Sequence, residues 1–267
     1  MQRKTYSLRE VHEVRGRQGI AFCDGGYIVS GSTTLTRYDE NWNVFAENAD
    51  PFAVGFSQQV NHIGDIDVFD GEIFCGAELF LDGVAANIQI AVYDAETLRF
   101  KRAFPFAPES GQTECSGITV NGDDRTVWMS SWADGESGRY LYQYDLDTGK
   151  YLRKVHLHAV PQWIQGVAYF DGAFYLTADD GDADLDEPDH IYRCEILPGE
   201  THCKVTEEKT LDDVIKQGEI EGLAFGKDPL RLLVLYNRGM RIVLGMPVAP
   251  YEGYDGEIHE VFVYDIV

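Results

Sequence analysis

Short apolar runs separated by turn residues recur along the whole chain. The clearest copy, QWIQGVAYFDGAFYLTADD at residues 162–180, has an apolar run at 167–170, an Asp-Gly turn, and a second apolar run that ends in carboxylates. Two such runs split by Asp-Gly are typical of a β-hairpin. The pattern occurs in five copies, in which the position of the first glycine is held by Gly19, Asp65, Gly117, Gly166 and Gly222.

The copies are spaced by the length of a four-stranded unit. Their glycine positions lie 46 to 56 residues apart, and apolar residues within each copy alternate with a spacing of two rather than 3.6. Alternation of this kind indicates strands, and a repeat of this length with four strand-like runs is typical of β-propeller blades. We therefore predict an all-β, five-bladed β-propeller that spans residues 1–267 as a single domain.

The two ends of the chain complete the same predicted blade. The last copy supplies strand-like runs at 222–225, 232–236 and 260–266, while residues 4–14 form a strand-like segment of their own. Placing the N-terminal strand as the outer member of the last blade closes the ring and covers a sheet edge. Six blades are the alternative and would need another copy within 239–257, which we interpret as a long loop. A short helical turn is expected at 211–216.

Composition narrows the classes of partner. With 22 Lys and Arg against 45 Asp and Glu, the formal charge of −23 argues against nucleic acid or an anionic membrane as the main partner. No apolar run approaches the roughly 20 residues of a membrane span. The odd number of cysteines, five, suggests reduced thiols in the cytoplasm, with a periplasmic or secreted location as the alternative if a leader has been removed. We also expect a monomer. Cys194 and Cys203 could face each other across a hairpin, which leaves one disulfide open.

Candidate chemistry lies where the repeats converge. In a propeller the first strand of each blade lines the central channel, so side chains beside the repeated glycine should meet on one face. Asp65 replaces that glycine in one copy, either as an axial ligand or catalytic group or as a carboxylate that accepts backbone hydrogen bonds. Asp67 is expected to pack between blades with a hydrogen-bond partner. The acids collected at the predicted channel mouth are Asp65, Glu78, Glu114, Asp179, Glu219 and Glu221.

These acids suggest a site for a hard cation. Several carboxylates can share one mouth in the ionised state only when a cation compensates their charge. An all-oxygen donor set with amide neighbours favours Ca²⁺, with Mg²⁺ or Mn²⁺ as alternatives, whereas a single His62 is too little imidazole for zinc. The alternative is that the acids separate into salt bridges with Arg17, Arg139 and Arg238. The acidic run at 179–189 matches no EF-hand register and is interpreted as a loop at the channel mouth.

The phrase Glu/Gln-Gly-[IVL]-Ala at Gln18, Gln165 and Glu221 resembles that of the calcium-dependent propeller hydrolases, the group of paraoxonase, gluconolactonase and diisopropyl-fluorophosphatase. Members of that group have six blades and bind a catalytic calcium in the channel. The resemblance implies hydrolysis of small-molecule esters, lactones or phosphotriesters, as in an arylesterase, a lactonase or a phosphotriesterase. Under this hypothesis the six acids are metal ligands, and His62, Asp65 and Glu221 are catalytic. The expected substrate-binding residues are Gln18, Trp132, Trp163, Gln165, Tyr236 and Arg238.

Two alternatives remain from the same residues. The first copy, with Arg17-Gln18-Gly19-Ile20-Ala21-Phe22, is also similar to the opening of the five-bladed bacterial and plant glutaminyl cyclases. That resemblance implies glutaminyl-peptide cyclotransferase activity, although the acidic Asn-Glu-Leu-Glu motif of those enzymes is approached only by residues 219–222. The other alternative is a non-catalytic propeller that binds a ligand or a protein, in which the acids at the channel mouth recognise a cationic partner.

Overall fold

Antiparallel four-stranded arrays, with strands in chain order, account for most of the molecule. The computed structural model describes residues 4–53, 55–105, 107–132 and 135–267. Alternating apolar residues bounded by Asp-Gly and similar turns form the strands, as the sequence predicted. The first array contains β2 (Gly19–Cys23), β3 (Gly26–Gly31), β4 (Thr34–Asp39) and β5 (Val44–Asn48). The second contains β6 (His62–Phe69), β7 (Glu72–Leu81), β8 (Val84–Asp94) and β9 (Phe100–Phe104).

Two further arrays are joined edge to edge into one eight-stranded sheet. The third array contains β10 (Ile118–Asn121), β11 (Thr126–Met129), β12 (Tyr140–Asp145) and β13 (Tyr151–His158). The fourth contains β14 (Ile164–Phe170), β15 (Ala173–Ala178), β16 (His190–Cys194) and β17 (His202–Thr210). The join is a short parallel pairing of β13 with β17, in which His156 lies opposite His202.

The last array combines both ends of the chain. Its strands follow the order β18-β19-β22-β1, with β18 at Gln217–Lys227, β19 at Leu230–Arg238, β22 at Ile258–Ile266 and β1 at Tyr6–Glu13. Strand β1 pairs antiparallel with β22, so the N-terminal strand is the outer member of this sheet, as predicted. The pairing covers an edge of β22 that would otherwise expose backbone hydrogen-bonding groups.

Two local predictions were wrong. The segment 239–257, predicted as a loop, contains a β-hairpin made of β20 (Met240–Val243) and β21 (Met246–Pro250). The segment 211–216 forms one hydrogen-bonded turn, from the backbone N–H of Val214 to the carbonyl oxygen of Leu211, and a bend at Lys216 rather than a helical turn. In the part of the chain that the structure describes, helical residues occur in two short 3₁₀ turns, at Pro108–Ser110 and Ser137–Arg139. Neither these turns nor any other described segment provides a helix that could span a membrane.

The first strands of the five arrays contact one another in chain order, and the last contacts the first, so β2, β6, β10, β14 and β18 enclose a central axis. The core lies in the layers between neighbouring arrays. In one layer Ala21 and Ile28 of the first array pack with Ile66, Cys75 and Tyr93 of the second. Equivalent apolar clusters fill the other four layers between consecutive arrays. Each array therefore buries both of its faces.

The five cysteines are all free thiols in the structure. Cys194 and Cys203 lie close enough to interact across the hairpin of the fourth array, as the sequence suggested, and their thiols share a hydrogen bond. The other three lie in separate positions, with Cys75 and Cys115 buried and Cys23 half-buried.

Candidate functional site

A cavity of about 120 Å³ opens where the first strands converge at one end of the central axis. Eight of the predicted site residues line it, which are Gln18, His62, Glu78, Glu114, Trp132, Gln165, Glu219 and Glu221. Arg17, Ser32, Phe80, Ser116 and the turn residues Leu244, Gly245 and Met246 complete the lining. The repeat register therefore identified most of the polar wall of this cavity.

Irregular strand pairing directs these side chains toward the axis. A β-bulge changes the direction of the side chains on the bulged strand and is often found beside functional sites. Three of the first strands have such an irregularity beside the repeated glycine position. The breaks in register fall between Ile63 and Ile66, between Ile164 and Gly166, and between Ile220 and Leu223.

His62 and Glu78 form one wall of the cavity. They lie directly opposite each other on β6 and β7, with Nδ1 of His62 at 3.4 Å from Oε1 of Glu78. Neither of these two buried atoms has a hydrogen-bond partner among the described residues. The other oxygen of Glu78, Oε2, accepts hydrogen bonds from the backbone N–H and the thiol of Cys115. Glu78 is completely buried, so its carboxylate is held rigidly beside the imidazole.

Glu219 and Glu221 form a second pair of titratable side chains in the same cavity. Gln165 donates to Oε1 of Glu219 at 2.7 Å, and the guanidinium of Arg17 lies 3.5 Å from Oε2. Asn237 donates to Oε1 of Glu221. Burial raises the pKa of Glu219 to about 7, despite the opposing charge of Arg17. Burial and the neighbouring Glu219 raise the pKa of Glu221 well above its usual range.

Glu114 and Trp132 define a third side of the cavity. The buried carboxylate of Glu114 accepts a hydrogen bond from the backbone N–H of Trp132. The ring of Trp132 packs on that of Trp163, with 5.2 Å between centroids. Trp163 itself lines a neighbouring cavity of about 330 Å³ together with Arg139 and His156, and Trp132 lies between the two cavities.

Asp65 does not line the cavity. It is completely buried at the centre of the ring, where its carboxylate accepts backbone hydrogen bonds from Ile66 at 2.8 Å and Val167 at 3.0 Å. Of the two interpretations of this residue, the geometry agrees with the carboxylate that binds backbone N–H groups. Asp67 accepts hydrogen bonds from the hydroxyl of Thr119 and the backbone N–H of Val120 in the next array, which confirms its predicted place between arrays.

Three other predicted site residues also lie outside the cavity. Tyr236 is wholly buried in an apolar cluster, and Arg238 binds Glu260 through Nε at 2.6 Å. Asp179 is near enough for its charge to interact with Glu219, and burial raises its pKa well above the ordinary value. Tyr236 and Arg238 lie on β19, and Asp179 directly follows β15.

The cavity acids are bound by protein donors in the structure. Calcium takes 6–8 oxygen ligands that converge on one point. Here Glu219 is bound by Arg17 and Gln165, and Glu221 is bound by Asn237. Binding of calcium, magnesium or manganese by these acids stays a prediction. Within the four described ranges, no three His, Cys, Asp or Glu side chains are arranged so that they could hold a metal ion. The sequence-based alternative of salt bridges applies to Arg17, whereas Arg238 pairs with an acid outside the predicted set.

Sequence reasoning identified Trp132 in the apolar lining of the cavity but missed Phe80, Leu244 and Met246. Phe80 stands two residues beyond Glu78 on β7, and its ring lies 5.5 Å from that of His62. Leu244 and Met246 come from the hairpin that we predicted as a loop. A signal was present in the sequence, because residues 240–250 carry alternating apolar residues around Leu244-Gly245, the pattern of a short hairpin.

Comparison with known proteins assigns no family. No protein-family model and no curated protein matches the sequence. Among solved structures the chain is similar to hydrazine synthase of Kuenenia stuttgartiensis, with 13% identity and a TM-score of 0.48 over 93% of this chain and 62% of that one. It is also similar to the computationally designed Ika8 protein, with 14% identity and a TM-score of 0.41 over 93% and 70% of the two chains. The chain thus spans less than two thirds of the hydrazine synthase chain.

Proposed function

We propose that the chain is a five-bladed β-propeller enzyme that hydrolyses small esters or lactones by acid–base catalysis in the axial cavity. Five successive arrays, with first strands in contact around one axis, support the propeller assignment. The observation that carries the catalytic part is the presence of two different titratable pairs in one cavity, His62 with Glu78 and Glu219 with Glu221.

His62 is the general base of this proposal. A histidine acts at neutral pH when its other ring nitrogen is oriented by a carboxylate. Glu78 stands beside Nδ1 and is completely buried, so it favours the tautomer with the proton on Nδ1 and leaves Nε2 free to accept one. Nε2 would take a proton from water as the water oxygen bonds to the carbonyl carbon of the ester.

Glu219 is the general acid. A carboxyl group with a pKa of about 7 is protonated in a substantial fraction of molecules near neutral pH and can donate that proton. When the carbon–oxygen bond of the ester breaks, the leaving alkoxide receives the proton of Glu219. The resulting carboxylate is stabilised by Arg17 and Gln165, which already contact it. The proton on His62 then returns to Glu219 through solvent, which restores the starting state.

Hydrolysis of p-nitrophenyl acetate and a γ-lactone tests this assignment. Replacement of one acid–base group costs about 10²–10⁴-fold in rate. We therefore expect His62→Gln and Glu78→Gln to lower kcat/KM strongly while the melting temperature changes little. His202→Gln, at an exposed histidine outside the cavity lining, is the matched control and should retain full activity. Unchanged hydrolysis by His62→Gln would contradict the proposal, and saturable binding without turnover would favour the non-catalytic alternative.

A further inference from the structure

The turn of the β20–β21 hairpin places large apolar side chains at the mouth of the cavity and leaves them in solvent. Leu244 and Met246 line the cavity, yet they are 57% and 63% exposed. Neighbouring Val243 and Val248 are exposed to a similar extent. A contiguous group of exposed apolar side chains beside a cavity is characteristic of a binding surface, whereas single exposed apolar residues are ordinary.

A second hairpin enlarges this surface. Leu81 and Val84 flank the turn between β7 and β8 and are also largely exposed. A Cβ atom added to Gly83 in that turn would lie 4.0 Å from Cδ1 of Leu244, so the tips of the two hairpins meet. We use the term apolar rim for the surface formed by Leu81, Val84, Val243, Leu244 and Met246.

Arg17 connects the apolar rim to the acids of the cavity. Nη1 of Arg17 donates to the carbonyl oxygen of Gly245 at 3.1 Å, and Nε of Arg17 donates to Glu257 at 3.1 Å. The same guanidinium contacts Glu219. One side chain therefore holds the hairpin turn in a defined position above the cavity acids, and the rim continues the cavity wall outward.

The dimensions of the cavity indicate what the rim accommodates. Pockets that enclose a whole drug-sized ligand measure about 300–1,000 Å³. The cavity here is about 120 Å³, which holds only a few non-hydrogen atoms. A larger substrate extends beyond the cavity, and Leu244 and Met246 provide an apolar surface for it at the mouth. The lining carries four glutamates against one arginine, so a substrate with an anionic group near its reacting end is disfavoured.

We propose that the substrate class is a neutral or cationic amphiphile, with a small ester or lactone group in the cavity and a hydrocarbon chain on the apolar rim. This inference rests on the proposed hydrolytic function and adds the part of the substrate that the rim recognises. Leu244 and Met246 are then residues that determine specificity through apolar contact, separate from the acid–base groups. Contact with the chain contributes to binding in proportion to the apolar area that it covers.

A chain-length series tests the inference. Hydrolysis of p-nitrophenyl acetate, butyrate and octanoate would be measured below the aggregation threshold of the octanoate. Wild-type kcat/KM should rise on the order of tenfold from acetate to octanoate, since each buried methylene group contributes a few-fold. In the double variant Leu244→Ser with Met246→Ser, kcat/KM for octanoate should fall by a larger factor than kcat/KM for acetate, so that the increase with chain length is lost. The matched control is Leu152→Ser with Leu197→Ser, at exposed leucines outside the cavity lining, and it should behave as wild type.

The outcomes separate the two proposals. Equal wild-type kcat/KM for all three esters, or an equal loss in the control, would overturn the amphiphile inference while leaving the hydrolytic function intact. If no ester is hydrolysed, the hydrolytic function fails, and calorimetric titration with N-methyloctanamide and N-methylacetamide tests the rim independently. Tighter binding of the octanamide to wild type, lost in the double variant, would support recognition by the rim. Equal affinities would refute it.

Discussion

The carboxylate of Asp65 accepts a hydrogen bond of 3.0 Å from the backbone N–H of Val167, 102 residues further along the chain. Its other oxygen accepts a hydrogen bond from the backbone N–H of Ile66. Asp65 lies on β6 and Val167 on β14, which are the first strands of different arrays. A Cβ atom on Gly19 or Gly222 would collide with this carboxylate. The single acid among the five repeated positions thus fills the centre of the ring, and the neighbouring glycines leave room for it.

Asp65 should matter for stability more than for chemistry. In Asp65→Asn an amide N–H₂ would face one of two backbone N–H donors, and a buried donor without an acceptor costs about 1–3 kcal/mol. We expect the free energy of unfolding in urea to fall by that amount, with kcat per folded molecule almost unchanged. Asp70→Asn, in the exposed turn of the same array, is the control and should be neutral. A loss of turnover without loss of stability would restore the catalytic interpretation of Asp65.

Gly222 should be intolerant of even a methyl group. An added Cβ would overlap Oδ1 of Asp65 and would lie 2.8 Å from Cα of Gly19. Overpacking of a buried site costs typically about 1–3 kcal/mol, and here the obstacles include backbone atoms that cannot rotate away. Gly222→Ala should therefore lower the unfolding midpoint in urea. Gly256→Ala, where an added Cβ meets open space, should leave it unchanged, and equal behaviour of the two variants would contradict this packing.

Glu219 should make stability depend on pH. Its pKa is about 7 in the folded protein against an ordinary value of 4.5, so the folded state binds the proton more tightly. This contribution is fully present below pH 4.5 and is lost as the pH rises through 7. The charged groups that face Glu219 are Arg17, His62, Asp179, Glu221 and Glu257.

The variant Glu219→Gln removes that titration and keeps the hydrogen bond from Gln165. We expect its melting temperature to exceed that of wild type by about 2–5 °C at pH 8 and to differ little at pH 5. Thermal unfolding across this pH range checks the prediction. Glu252→Gln, at an exposed glutamate, should follow the wild-type curve. A stabilisation that is the same at both pH values would show that the proton of Glu219 is not its cause.

Removal of divalent cations should have little effect. The cavity acids are already bound to Arg17, Gln165, Asn237 and backbone N–H groups. A cation that bound the folded state would raise its stability with the logarithm of the cation concentration. We expect the melting temperature and the rate of ester hydrolysis to be the same in EGTA and in excess calcium. A melting temperature that climbs steadily with calcium would support the sequence-based prediction of a metal site, and elemental analysis would then count the bound ions.

Much of the polar cavity wall could be predicted because its residues occupy equivalent positions in the sequence repeats. Gln18, Gln165 and Glu221 occupy one repeated position, and His62 and Glu219 occupy another, so their convergence follows from aligning the copies. The partners of these residues could not be predicted. Asn237 reaches Glu221 through the pairing of β18 with β19, and Arg17 reaches Glu219 from a different array. Hydrogen-bond partners so distant in sequence leave no local pattern.

The sequence by itself determined the strands, their grouping into five repeats and the pairing of the chain ends, because alternation of apolar residues and turn chemistry are local properties. Only the tertiary structure decided which carboxylates share the cavity, that Asp65 lies within the ring, and that an apolar hairpin stands over the opening. One physical reason is that a bulge of one residue changes where a side chain points. The other is that burial and neighbouring charges shift the pKa of an acid, and they arise only when strands from separate repeats come together.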